Sequence, residues 1–299
     1  MGDVLAFQES GSTLSILEAS NGGVRWASQL AGPLTLFTTP TREGRFVHAS
    51  SETELFTLAL DTGTLVGRES FERVITTRPV QDGDLLIYGT SVGEVMAHVR
   101  GLGVKLWGFR TSGAIEGAPV RIGSAVGVVA QTGDTVILDA STGSLLGRVR
   151  LFGGVTTDPV SDGNLMFVAG SDQSLYGIDP DGARIAWRIR TSRPLTVQPS
   201  VVGGMLYCEL PERGLCSIEP STGSVRWENK NLRGTVICTR GVNVIVWDGS
   251  TAWLVEPSTG DILSRVELPG VSILSTDGST DPVIYVTDAK GRIGKYLPR

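Results

Sequence analysis

The chain has 299 residues, of which 40% are hydrophobic and 19% charged; that apolar content is ample for a packed core and excludes a disordered chain. Its 39 glycines and 14 prolines suit a chain that turns every few residues, and no Gly-X-Y period points to collagen. The net charge of −5 argues against a nucleic-acid binder, which carries a basic footprint, and no apolar run approaches the ~20 residues of a membrane-spanning helix.

Met1-Gly2-Asp3 leads straight into Val4-Leu5-Ala6-Phe7, without the basic region and long apolar stretch of a signal peptide. The expectation is therefore either a cytoplasmic protein or a mature or excised piece of a longer one. The abrupt entry into a strand favours the second, and with it an extracytoplasmic place in the periplasm or at the cell surface. A ten-residue phrase then begins to recur: Leu17-Glu18-Ala19-Ser20-Asn21-Gly22-Gly23-Val24-Arg25-Trp26 matches Ile178 to Trp187 and Ile218 to Trp227. Copies start near 17, 58, 98, 138, 178, 218, 255 and 296, in steps of 37 to 41. A period of about 40 residues marks repeated supersecondary units that bury their apolar faces against their neighbours. The repeat runs end to end, so residues 1–299 are expected to form one domain.

Residues 153–191 give the unit. Val155-Thr156-Thr157-Asp158-Pro159-Val160 is a short β-prone run, predicted as strand A. Ser161-Asp162-Gly163-Asn164 is a turn, since Asp-Gly is a strong hairpin signal. Strand B follows at Leu165–Ala169, strand C at Leu175–Ile178 and strand D at Ile185–Arg190, with turns at 170–173 and 179–182. No window carries the 3.6-residue period of an amphipathic helix, so the chain reads as all-β. Strand B is continuously apolar, as in Val283-Ile284-Tyr285-Val286, which implies burial on both faces rather than the alternation of a sandwich. Strand D alternates, as in Arg188-Ile189-Arg190 and Arg265-Val266-Glu267, and its charges fit an outer edge protected from pairing. Four-stranded antiparallel sheets with buried inner strands and a charged outer one describe a β-propeller. The B–C unit occurs eight times and strands A and D seven times each, which predicts eight blades with incomplete terminal ones. Seven blades, the second choice, would leave one B–C pair without a sheet.

The phrase Asp-x-x-Thr-Gly-x-x-x-Trp resembles the PQQ-like repeat, the tryptophan-docking repeat of quinoprotein-type propellers. Glu219-Pro220-Ser221-Thr222-Gly223-Ser224-Val225-Arg226-Trp227 is the fullest match, while Asp139–Gly143 and Glu256–Gly260 match without the Trp. The physical reading stands beside the resemblance: the Thr-Gly run is a turn whose Gly takes positive φ. Trp26, Trp107, Trp187 and Trp227 are then blade-docking plugs. Relatives of this kind include quinoprotein dehydrogenases that use PQQ and calcium, BamB-like non-enzymatic scaffolds, and sensor domains of bacterial receptor kinases. The resemblance attaches an adjacent-cysteine disulfide and a Glu/Asn/Asp calcium site to the dehydrogenases. Here no two of Cys208, Cys216 and Cys238 are adjacent, and no insertion breaks the repeat to build an active-site lid.

Other chemistry is sparse. His48 and His98 lie on strands of different blades and read as ordinary half-buried histidines, and no zinc spacing exists. There is no Gly-x-Ser-x-Gly and no phosphate-binding Gly-rich loop. Asp82-Gly83, Asp162-Gly163 and Asp277-Gly278 sit where A–B turns are required and read as turns rather than calcium ligands. Cys208 and Cys216 flank one predicted hairpin turn and could face each other, although buried inert thiols are the simpler reading.

Two groups of residues remain. Strand A should be innermost, which brings Thr76, Thr77, Arg78, Glu116, Thr156, Thr157, Asp158, Thr196, Gln198, Thr239 and Arg240 towards a central channel. They could bind a small polar ligand, with Arg78 and Arg240 meeting the carboxylates of PQQ, or simply line water. The D–A and B–C loops should share one face, and they carry Phe71, Phe152, Leu232 and Trp247 with Arg73, Arg193 and Arg233. Aromatic and Arg enrichment is the composition of interface hot spots. The reading is a monomeric, non-catalytic scaffold for protein partners, without metal or resident cofactor. A ligand-sensing domain of a membrane receptor such as a Ser/Thr kinase comes second, and a quinoprotein oxidoreductase third.

Overall fold

The computed structural model describes residues 4–8, 11–32, 34, 37–40, 45–100, 104–155, 157–278 and 280–298. These residues form strands and turns, and no helix long and apolar enough to cross a membrane occurs among them. They fall into two compact units, residues 1–119 with 140–143 and residues 120–139 with 144–299.

The first unit holds three antiparallel sheets. β1 (Val4–Gln8), β2 (Thr13–Glu18) and β3 (Val24–Gln29) make a three-stranded sheet. β4 (Phe37–Pro40), β5 (Phe46–Ser50), β6 (Glu54–Ala59) and β7 (Leu65–Ser70) make the second, and β8 (Val80–Asp82), β9 (Leu85–Gly89), β10 (Glu94–Val99) and β11 (Val104–Arg110) the third.

The second unit holds five. β12 (Val120–Ile122), β13 (Ala125–Val129), β14 (Asp134–Asp139) and β15 (Leu145–Arg150) come first, then β16 (Val160–Ser161), β17 (Met166–Gly170), β18 (Ser174–Asp179) and β19 (Arg184–Arg190). β20 (Ser200–Val202), β21 (Met205–Leu210), β22 (Gly214–Ile218) and β23 (Val225–Asn229) precede β24 (Thr235–Arg240), β25 (Asn243–Trp247), β26 (Thr251–Val255) and β27 (Ile262–Glu267). β28 (Val271–Thr276), β29 (Ile284–Asp288) and β30 (Ile293–Tyr296) end the chain as a three-stranded sheet. Among the described residues the first sheet thus has no strand A and the last no strand D, in line with the repeat bookkeeping.

Burial follows the strand chemistry. β13, β17 and β22 are buried at every residue, and β14 and β18 at all but the last, so second and third strands have apolar neighbours on both faces. β7 and β15 alternate exposed and half-buried residues, as outer edges do. Strand A is the one misplaced element. Among the described residues of the Val155–Val160 run, Val155 makes an isolated bridge to Gly170, and the ladder proper begins at Val160. Pro79, Pro119, Pro159 and Pro199 each stand immediately before such a strand. A proline has no N–H to donate, so pairing starts after it.

The four tryptophans interlock successive repeats. Trp26 Nε1 donates to Leu60 O at 2.8 Å, Trp107 to Ala140 O at 3.2 Å, Trp187 to Pro220 O at 2.7 Å and Trp227 to Pro257 O at 2.7 Å. Each indole lies flat against the glycine of the receiving turn. A Cβ placed on Gly63, Gly143, Gly223 or Gly260 would come within 2.5–2.6 Å of the ring, and all four glycines have φ between 70° and 80°. The Thr-Gly signature is therefore needed twice, for the left-handed backbone and for the flat surface the indole rests on.

Candidate functional site

In the second unit the D–A and B–C loops lie side by side, held by backbone hydrogen bonds. Leu151 N–H donates to Gly133 O, Ser171 N–H to Gly154 O and Thr191 N–H to Gln173 O, each at 2.8–2.9 Å. Side chains add Ser192 Oγ to Glu212 Oε1 at 2.8 Å and Arg233 Nη1 to Glu209 Oε1 at 2.9 Å, while Glu209 Oε2 accepts the Gly234 N–H at 2.8 Å.

The most developed feature of these loops is an aromatic and cationic platform at Phe152. This ring is 77% exposed, in the loop between β15 and β16. The Arg188 guanidinium on β19 lies over it, 4.8 Å from the ring centroid, and 5.1 Å from that of Tyr176. Arg188 is fixed by Asp172, Nη2 to Oδ2 at 2.7 Å, and by Ser174, Nε to Oγ at 2.9 Å. Tyr176 is fully buried and donates its hydroxyl to the same Asp172 oxygen at 2.5 Å. Burial, then this hydrogen bond to a carboxylate, raise the Tyr176 pKa and keep it a neutral donor. The result is a rigid stack whose outermost member is an exposed aromatic ring beside a held cation.

Of the other candidates for this face, Arg73 and Arg193 are exposed, and Arg233 is exposed but paired with Glu209. Trp247 is half-buried at the end of β25. Phe71 and Leu232 correct the reading: Phe71 is only 7% exposed and Leu232 is fully buried. Phe71 packs on Tyr88 at 5.1 Å and His98 at 5.5 Å between ring centroids. The reason is register. Phe71 N–H bonds Thr53 O as Leu151 N–H bonds Gly133 O, so both are the inward plug that closes strand D. Phe152 is one residue further on and lies outside.

The channel candidates precede the first strands rather than forming them, except Thr239 and Arg240, the last two residues of β24. Thr76 Oγ1 donates to Ile115 O at 2.5 Å, tying two loops together, and buried Thr77 Oγ1 accepts the Gly89 N–H at 2.9 Å, fastening its loop to β9. Arg78 and Glu116 are exposed, and Asp158 is half-buried. Arg240 Nη2 donates to Pro282 O at 3.0 Å. Thr156 lies outside the described residues. Exposed Gln198 lines a cavity of about 530 Å³ that runs across β16, β20, β24 and β28. Its walls are Val160, Val202 and Val236 with the hydroxyls of Ser161, Ser200 and Thr276, and no Lys or Arg is among the lining residues. The carboxylates of PQQ would find no counter-charge there, and the cavity does not fit that cofactor. Among the described residues no three His, Cys, Asp or Glu side chains are grouped to hold a metal ion. Asp162 Oδ1 accepts the Asn164 and Leu165 N–H groups, which makes it a turn residue.

Sequence reasoning missed Asp172, Tyr176 and Arg188. A signal existed: an acid at the start of the third strand faces a base on the fourth in Glu54–Arg68, Glu94–Lys105 and Asp134–Arg148, and Arg188 is the same element. Both histidines are fully rather than half buried, with His48 Nδ1 2.9 Å from Thr57 Oγ1 and His98 Nε2 2.8 Å from Glu69 Oε2.

The sequence profile of the family described as outer membrane protein assembly factor BamB matches residues 1–109 and 93–245. No curated protein sequence matches the chain. Among solved structures, BamB from Moraxella catarrhalis is 18% identical with a TM-score of 0.77, over 99% of this chain and 92% of that one. The computationally designed protein Ika8 is 12% identical with a TM-score of 0.80, over 99% and 94%. The C-terminal WD40 domain of Sif2 is 12% identical with a TM-score of 0.75, over 99% and 92%. At such identities the likeness establishes the fold: the eight sheets are the blades of a β-propeller.

Proposed function

The chain belongs to the family described as outer membrane protein assembly factor BamB, and on that premise we propose that it is a non-catalytic, extracytoplasmic scaffold that holds a protein partner on its D–A and B–C loops. The Phe152 platform carries this reading. An aromatic ring beside an immobilised Arg offers a large contact area whose ordering cost is already met, which is how interface anchors act. Arg193, exposed on the next D–A loop, extends the same surface. The scaffold is read as a monomer, and the partner as a protein.

The test is site-specific photocrosslinking in the cell of origin, with the photoreactive residue at Phe152 or, as a control, at Leu65 on an outer strand. The expected result is a discrete crosslinked species from position 152 that weakens with Arg188→Ala and does not form from position 65. Equal crosslinking from both positions, or none from 152, refutes the platform as a docking site. With a purified partner, Phe152→Ala and Arg193→Ala should each weaken binding by about 1–2 kcal/mol.

The cavity beside Gln198 supports a second reading, a ligand-sensing domain of a bacterial membrane receptor. Its uncharged hydroxyl and valine lining suits a neutral polar ligand. Saturable binding of such a compound, lost in Gln198→Ala and unaffected by Phe152→Ala, would favour it over the scaffold.

A further inference from the structure

Cys208 on β21 and Cys216 on β22 are direct partners across the antiparallel pair. Both side chains enter one core cluster, with Phe167, Leu206, Leu210 and Ile218, so they lie on the same face of the sheet. Directly opposed residues of antiparallel strands have Cα atoms about 4.5–5.5 Å apart, inside the ~4.4–6.8 Å window of protein disulfides. Both thiols are free, and each donates weakly to a backbone carbonyl nearby in sequence, Glu209 O at 3.8 Å and Gly214 O at 3.6 Å. Cys238 is buried in a different core cluster and has no such partner across its strand pair.

The hairpin joining the two strands belongs to the loop face. Its turn is Pro211-Glu212-Arg213, in which Glu212 accepts the Ser192 hydroxyl and Arg213 pairs with Glu228 at 2.5 Å. We propose that Cys208 and Cys216 are a redox-sensitive pair that closes to an intramolecular disulfide when the chain folds in an oxidising compartment, clamping β21 to β22 beneath that turn. The inference is independent of the scaffold reading.

The chemistry is thiol–disulfide exchange with a disulfide-bearing oxidant. One cysteine, as its thiolate, attacks the oxidant and releases one thiol. The other then displaces the second, so two thiols become one S–S bond and the oxidant leaves as two thiols with both protons. Burial pushes the Cys216 thiol up to about 11 and raises Cys208 further, so the folded pair is a poor nucleophile. Closure therefore belongs to folding, before the core packs, and the folded disulfide resists reduction for the same reason.

The three cysteines fall in different tryptic peptides, 191–213, 214–226 and 234–240, which makes the test direct. The whole chain is reduced, denatured and refolded in a glutathione redox buffer, then alkylated under denaturing conditions and digested without reductant. The expected product is 191–213 joined to 214–226, two hydrogens lighter than the sum. Alkylation of Cys208 and Cys216 should fall at least tenfold, with Cys238 fully alkylated. Circular dichroism should match the reduced protein, and thermal unfolding should move upward on oxidation. In Cys208→Ser the linked peptide should disappear, and in Cys238→Ser it should persist. Full alkylation of all three cysteines, glutathione adducts in place of the link, a link to Cys238, or an oxidised chain that loses its β-signal would each overturn the proposal.

Discussion

His48 should make this protein lose stability between pH 7 and pH 5, a range in which ordinary carboxylates are still ionised. The side chain is 3% exposed on β5, its Nδ1 meets Thr57 Oγ1 at 2.9 Å, and its Nε2 has no hydrogen-bond partner. Burial, followed by repulsion from Arg100 and partly offset by Glu69, lowers its pKa from 6.5 to about 4. The folded state thus holds His48 neutral while the unfolded chain takes up a proton first. The stabilisation is complete above the unfolded pKa and is lost as pH falls from about 6.5 through about 4. At about 1.4 kcal/mol per pKa unit the full shift amounts to roughly 3 kcal/mol, of which about 2 kcal/mol is gone by pH 5. Urea unfolding of the wild type and of His48→Asn at pH 7 and pH 5 isolates the effect, since every other titrating group is common to both. The wild type should lose about 2 kcal/mol more than the variant over that interval. Equal losses in the two proteins would mean that His48 is not the group that titrates.

The remaining predictions concern docking and chemistry. Gly223→Ala puts a methyl 2.6 Å from the Trp187 ring at φ +72° and should cost about 2–4 kcal/mol in chemical unfolding. Gly182→Ala, with nearly the same φ and nothing within 4 Å, should cost only about 1–2 kcal/mol. Trp227→Ala empties a buried site and breaks the bond to Pro257, at about 3–5 kcal/mol, whereas Trp227→Phe should lose about 1 kcal/mol. Phe152→Ala should unfold within about 0.5 kcal/mol of the wild type, because an exposed ring contributes little to folding. Purified protein supplied with PQQ, calcium and alcohols or sugars should not reduce a redox dye, and turnover at enzymatic rates would end the scaffold reading.

The repeat was legible because its least replaceable residues are also its most conspicuous. A Trp on strand D can lie against the following turn only if that turn ends in a glycine at positive φ, so the two recur together as a written phrase. Strands B and C were legible for a similar reason, since burial on both faces forces an unbroken apolar run. Strand A was not. Val155 and its neighbours have the β-branched composition of a strand, but the proline at 159 leaves pairing to begin only at Val160. Local propensity there reported a loop that closes on the next strand through a single bridge.

The candidate site was less legible because composition does not report register. Phe71 and Phe152 both follow a D strand and look alike in sequence. A shift of one residue makes the first a core plug against Tyr88 and the second the exposed cap of a stack on Arg188. Of the residues that organise the stack, Arg188 sits on an outer strand, where alternation marks it only as an edge charge, while Asp172 sits in the turn before β18 and Tyr176 on a buried inner strand. The same division explains how the fold persists in solved structures at only 12–18% identity. The Trp–Gly docking contacts lie at the C–D turns, while the B–C and D–A loops leave the sheet from the other ends of the strands. Substitutions at Phe152 or Arg193 therefore change what the loops present without touching the Trp–Gly contacts at the other ends of the strands. A face free to vary in this way is where a partner's specificity can be encoded, and there the repeat pattern, which records only docking, is silent.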